Sequence, residues 1–170
     1  MTGSGTAADP YKIYDVNDLQ AMNDDLTAYY ELANDIDASA TSGWNGGLGF
    51  APIGPSYANA FTGQFDGKNF CIDSLTIARP ATSTIGLFGE AFNVVTIQNV
   101  GLTNVNISGL HGTGALIGLI RGTIISCYST GTVQGENRCG GLVGSSQVGE
   151  VLSSYSTCTV MGTSYASVGG

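Results

Sequence analysis

Charge is scarce in this sequence. Charged side chains make up 11% of the residues, and only five are basic: Lys12, Lys68, Arg79, Arg121 and Arg138. These five are scattered, whereas a nucleic-acid backbone demands a clustered basic footprint, so no nucleic-acid partner is expected. The formal net charge of −8 also weighs against an anionic membrane surface. No apolar run approaches the roughly 20 residues of a membrane-spanning helix, so no membrane insertion is expected. His111 is the single histidine. An HExxH zinc-protease motif is therefore absent, no nucleophile-elbow pattern accompanies a Ser-His-Asp set, and His111 reads as a solvated residue of the turn Gly109–Gly112. The four cysteines, at 71, 127, 139 and 158, have none of the short spacings of zinc or redox sites. Cys127 falls where a small inward side chain fits and reads as a buried thiol. Free thiols and a bridge such as Cys139–Cys158 both stay open. The glycine-rich stretches lack a Walker lysine and a strand–GxGxxG–helix setting, so neither nucleotide nor cofactor is expected. Residues 1–10 lack the basic and apolar regions of a secretory signal and read as a flexible leader.

What the chain has is glycine and periodicity. Its 26 glycines accompany a recurrent motif: GLFG at Gly86–Gly89, ALIG at Ala115–Gly118 and GLVG at Gly141–Gly144, at intervals of 29 and 26 residues. SCYSTGTV at Ser126–Val133 returns as SSYSTCTV at Ser153–Val160 after 27 residues, and NVGLTNVNI at Asn99–Ile107 is a divergent earlier copy. Such a period marks a solenoid whose units bury their apolar faces only against one another. Short strands cornered by Gly and Asn, three to a coil, predict an all-β, right-handed parallel β-helix. Coils stack at the strand spacing of about 4.8 Å. Leu87, Leu116 and Leu142 should then form one internal ladder, as should Val100 with Cys127 and Val133 with Val160.

The segments before the repeats complete the plan. Lys12–Tyr14 reads as a strand. Asp15 reads as an N-cap, and Leu19, Met22 and Leu26 form a stripe that predicts a helix from Val16 to about Leu26. A solenoid needs its terminal core covered, and this short N-terminal helix serves as the lid; docking on a partner is the alternative use. Ser39–Asn59 is an irregular, Gly-, Ser- and Asn-rich excursion carrying Trp44, the single tryptophan. Phe61–Phe65 is a strand, Asp66-Gly67 a turn, and Cys71–Ile77 a strand with Ile72 set apart by a kink from the alternating Cys71, Asp73 and Leu75. The chain thus divides into the leader at 1–10, a cap at 11–38, first coils with the irregular loop at 39–84, and repeats at 85–170, the last truncated at Val168–Gly170.

The repeat, GGLVG at Gly140–Gly144 with SCYSTGTVQG at Ser126–Gly135, resembles the GLUG repeat of bacterial surface and adhesin-like proteins, found also in the non-catalytic part of IgA-cleaving metallopeptidases. YELANDID at Tyr30–Asp37, PIG at Pro52–Gly54 and FTGQFDG at Phe61–Gly67 resemble the segments that commonly precede such repeats. The likeness runs from about Tyr11 onward. Ser154 departs from the family's usual cysteine and Cys158 from its glycine. The resemblance implies an extracellular or cell-surface setting and a stalk or display role rather than one activity.

On these grounds the chain is expected to be a non-enzymatic, adhesin-like binding or display module for cell-surface glycans or extracellular proteins. The alternatives are a stalk or a subunit self-associating through an open C-terminal coil, then a polysaccharide-acting enzyme or an ice-binding protein. The candidate acids are Asp35, Asp37, Asp66 and Asp73, read mainly as structural, with calcium at Asp35 or Asp37 weighed against the lack of a dense ligand loop. Thr130, Thr132, Thr157 and Thr159 form the candidate ice-binding array. The candidate ligand-binding residues are Trp44 and Tyr57 on the excursion, because rigid scaffolds concentrate contacts on loops, and the stacked Tyr128 and Tyr155, because tyrosine is enriched at binding surfaces.

Overall fold

The computed structural model describes residues 1–162 and the strand Val168–Gly169. The strands of the described chain form one parallel ladder system with four faces. The first sheet has six strands: Tyr11–Ile13, Tyr29–Leu32, Gln64–Asp66, Thr96–Gln98, Thr123–Ile125 and Glu150–Leu152. The second has seven: Ile36–Asp37, Cys71–Asp73, Thr76–Ala78, Gly101–Ser108, Tyr128–Gly135, Tyr155–Ser156 and Thr159–Gly162. The third stacks His111–Thr113, Asn137–Gly140 and Val168–Gly169, and the fourth stacks Phe88–Ala91, Ile117–Ile120 and Val143–Ser146. From Phe88 onward the chain visits the fourth, first, second and third faces in turn and repeats. A complete coil therefore has four strands, not the expected three. The missed one is the third face, whose short members, His111-Gly112-Thr113 and Asn137–Gly140, carry left-handed backbone at Gly112 and Arg138 (φ 63° and 55°) and read as turns. His111 accordingly lies in a strand opposite Asn137, half-buried, rather than in a solvated turn.

Parallel stacking puts like residues above one another, and the expected columns form. Phe88, Ile117 and Val143 are in register, which aligns the preceding Leu87, Leu116 and Leu142, all buried. Val133 pairs with Val160, and Ile77, Ile107 and Val133 continue that column inward. Cys127 is buried beside Val100, and burial pushes its thiol up to about 11. All four cysteines are free thiols. The N-terminal half of the core is aromatic, with Phe61 and Phe88 rings 5.0 Å apart and Phe65 edge-on to Phe88 at 5.4 Å. From Gln64–Asp66 onward each coil turns from the first face to the second at a left-handed residue: Asn69, Asn99, Ser126 and Ser153 (φ 67°, 55°, 54° and 50°). Asn adopts that backbone more readily than branched residues, which explains its place at the corner.

Three expectations are corrected in detail. The helix runs only from Val16 to Ala21 and passes into a 3-10 turn at Met22–Asp24, although Asp15 does cap it, accepting the Asn17 and Asp18 N–H groups at 2.9 Å. Leu19 and Met22 are fully buried, and Gln20 brackets Ala51 with hydrogen bonds of 2.9 Å to its N–H and its carbonyl. The helix is thus the lid of the solenoid core. Ile72 points inward between Ile36 and Leu102, because the kink lies at Ser74 (φ 60°), which resets the alternation so that Leu75 and Ile77 are also buried. Residues 1–10 do not hang free. Thr2 bridges Lys12 in antiparallel fashion and the Gly5 carbonyl accepts the Tyr29 N–H at 2.9 Å, because the edge of Tyr11–Ile13 leaves backbone groups that need partners. Val168–Gly169 pairs with Cys139–Gly140, while Gly170 of the expected truncated unit lies outside the described residues.

Candidate functional site

The candidate acids are occupied as backbone and side-chain acceptors. Asp35 accepts the Cys71 N–H at 2.8 Å, and Asp37 accepts the Ser39 N–H at 2.9 Å. Asp66 takes the Lys68 N–H at 2.8 Å and the side-chain amides of Gln98 and Asn99 at 3.0 Å. Asp73 takes Thr103 Oγ1 at 2.6 Å, Asn104 Nδ2 at 2.7 Å and Ser74 Oγ at 2.7 Å. Hydrogen bonds from Thr103, Ser74 and Asn104 hold Asp73 below the usual carboxylate range, and those from Ser39 do the same for Asp37. A general acid needs the opposite shift. Among the described residues, no three His, Cys, Asp or Glu side chains converge as a metal site.

The threonine array is small and broken. Thr132 stacks on Thr159, but the coil below presents Asn106 in that column. A bulge between Ser129 and Gly131 shifts the register, and the Thr130 hydroxyl accepts the Asn104 N–H at 3.1 Å instead of standing in a flat lattice.

The four candidate aromatics occupy three separate places. Trp44 lies between 3-10 turns broken by left-handed Asn45 and Gly46, and it stacks on buried Phe50 with ring centroids 6.3 Å apart. Its packing closes the core beside the helix. Tyr128 lies along the second face, above Gly101. A side chain on Gly101 would place its Cβ 2.3 Å from the ring, so glycine there lets the Tyr128 hydroxyl reach the Cys71 thiol at 2.8 Å, two coils away. That bond, with burial, raises the phenol to about 12. Tyr155 stacks on Tyr128 at 5.4 Å, the rings nearly parallel at 9°, and is 60% exposed. Tyr128 is therefore a packing residue.

Tyr57 is presented more fully. It sits on the turn Ser56–Asn59, closed by a 3.0 Å bond from the Asn59 N–H to the Ser56 carbonyl, and is 71% exposed. One edge of its ring meets Phe92, at a centroid distance of 5.0 Å. Arg121 lies over both rings, its Cζ 4.6 Å from the Phe92 centroid and 5.9 Å from that of Tyr57. The Arg121 Nε and Nη2 groups donate to Gln147 Oε1 at 3.1 and 2.6 Å. Phe92, Arg121 and Gln147 were missed in the sequence because they are chemically unlike one another. The signal was nevertheless present: they are spaced by the same 29 and 26 residues as the glycine motifs.

Comparison with known proteins follows the same lines. No protein-family profile matches the chain. It is 43% identical over 162 residues to halomucin from Haloquadratum walsbyi, covering 91% of this chain and 2% of that protein. It is 30% identical over 152 residues to the immunoglobulin A1 protease of Streptococcus sanguinis, covering 83% of this chain and 8% of that protein. The chain thus spans a small fraction of the length of these relatives. Its fold is similar to that of a candidate immunoglobulin A1 protease from Bacteroides ovatus, with a TM-score of 0.71 and 22% identity over 99% of this chain and 57% of the other. The repeat motifs, the four-faced solenoid and these likenesses fit a GLUG-repeat β-solenoid module of the kind found in IgA1 protease-like proteins.

Proposed function

We propose that this module is a non-catalytic, extracellular recognition and display unit. The single observation that carries the reading is Tyr57, an aromatic face left 71% exposed on a tight turn that rests on a rigid solenoid. An exposed aromatic held by a fixed scaffold loses little freedom on binding, which is how binding loops gain affinity. The partners this favours are cell-surface glycans or extracellular proteins. The extracellular setting is supported by the names of the relatives, halomucin and an immunoglobulin A1 protease. The non-catalytic role is supported by the candidate acids, each engaged as a structural acceptor, with Asp37 and Asp73 shifted downward. A panel of immobilised glycans and extracellular proteins, immunoglobulin A1 included, tests the proposal when the same wells are assayed for released product. Retention without release is expected, and product release would overturn the non-catalytic reading.

A further inference from the structure

Arg121 is fixed on the surface, and among the described residues no carboxylate pairs with it. The pairing of Ala91 with Ile120 and of Ile120 with Ser146 places the next residues, Phe92, Arg121 and Gln147, in one outward column on three successive coils. The Phe92 ring lies 4.6 Å from the guanidinium carbon on one side, and the Gln147 amide oxygen accepts from Nε and Nη2 on the other. Both contacts hold the guanidinium plane in place before any ligand arrives, and among the described residues Nη1 makes no hydrogen bond. The ion pairs among the described residues join Lys12 and Lys68 to Glu31 and the N-terminus to Asp18. Among these residues Arg121 has no carboxylate within that reach, in a chain of net charge −8. A preorganised guanidinium without a counter-ion is a seat for a carboxylate, which it meets through two parallel hydrogen bonds.

The surroundings narrow the class of ligand. Tyr57 supplies a flat apolar face against which the C–H groups of a sugar ring pack, and Asn93 and Thr62 add neutral polar groups at the rim. The hollow they bound with Arg121 has a volume of about 280 Å³. That falls just below the roughly 300–1,000 Å³ of pockets for drug-sized ligands and suits a single ring. An acidic peptide side chain would satisfy Arg121 but leave the Tyr57 face uncovered. Resting on the recognition role proposed above, we propose that this hollow binds a carboxylate-bearing sugar residue, with the carboxylate on Arg121 and the ring on Tyr57.

Trigalacturonate and its methyl ester test this directly, because they share ring and linkage and differ only in charge. Calorimetric titration of the whole chain should show the acid binding at least roughly tenfold more tightly than the ester, a difference of about 1.4 kcal/mol. Rising ionic strength should weaken the acid alone. Arg121→Gln should remove the preference for the acid, and Arg121→Lys should keep part of it, because charge persists while the fork is lost. Tyr57→Ala should weaken both ligands. Thermal unfolding of each variant checks that the solenoid is intact. Equal binding of acid and ester, an Arg121→Gln variant that keeps the preference, or binding of oligoglutamate but not trigalacturonate would overturn the assignment. Neutral glycans bound through Tyr57 independently of Arg121 would overturn this inference and leave the recognition role standing. Failure of every glycan and protein on the panel would remove both.

Discussion

Ser129 Oγ donates a 2.8 Å hydrogen bond to the carbonyl of Gly141, joining the two most recognisable motifs of the repeat inside the solenoid. Ser129 is fully buried, in a column that earlier coils fill with Ile72 and Leu102. The hydroxyl is tolerated there because the next turn brings a backbone acceptor within reach. Gly141 also faces Ser156 of the following coil, whose Oγ would lie 2.1 Å from any Cβ added at that position. The serine of one motif and the glycine of the other are thus two halves of a single packing arrangement.

Two substitutions separate the halves. Gly141→Ala should destabilise the fold by about 1–3 kcal/mol through overpacking. Ser129→Ala should cost about 1–2 kcal/mol by removing a buried hydrogen bond. Denaturant unfolding measures both, and a neutral Gly141→Ala would mean that Ser156 moves aside freely.

Acid should weaken the stacked second face. Hydrogen bonds from Thr103, Ser74 and Asn104 depress the Asp73 carboxyl in the folded state. A depressed carboxyl contributes stability that is present above the unfolded value of about 3.9 and is lost as pH falls through the folded value. The stability of wild type should therefore exceed that of Asp73→Asn at neutral pH, and the difference should shrink as pH drops below about 4. Parallel unfolding curves across that range would contradict this account.

Thiol labelling should follow burial. Cys127 is buried and its thiol is raised to about 11, and Cys139 is buried and raised as well. The thiolate is the reactive form, so a maleimide at pH 8 should modify half-buried Cys71 and Cys158 well before Cys127. Labelling of all four at one rate in the folded protein would contradict the core assignment.

Trp44→Ala should act on stability rather than on recognition. The indole stacks on Phe50 and packs against the core, so its loss should cost about 2 kcal/mol. Thermal unfolding checks the cost, and an unchanged midpoint with lost ligand binding would return Trp44 to the contact surface.

Much of the architecture is legible in the sequence because a parallel solenoid converts sequence period directly into spatial contact. Leu87, Leu116 and Leu142 stack as their spacing requires, and Tyr128 falls opposite Tyr155. The third face is not legible, because a short strand through left-handed Gly112 or Arg138 looks like a turn. Composition misleads about the helix, whose apolar stripe continues to Leu26 although α-helical geometry stops at Ala21. The Arg121 cradle is harder still. Its column follows the repeat interval, but Tyr57 arrives from a turn outside the repeat, and only the folded chain brings the two together.

The claim of recognition without catalysis meets its most direct test in a titration of wild type and Tyr57→Ala against whichever partner the immobilised panel retains, with product assayed in the same samples. Saturable binding is predicted, weakened at least roughly tenfold in Tyr57→Ala at an unchanged unfolding midpoint, with no product accumulating over time. Equal affinity of the two proteins, or steady product release, would contradict the account.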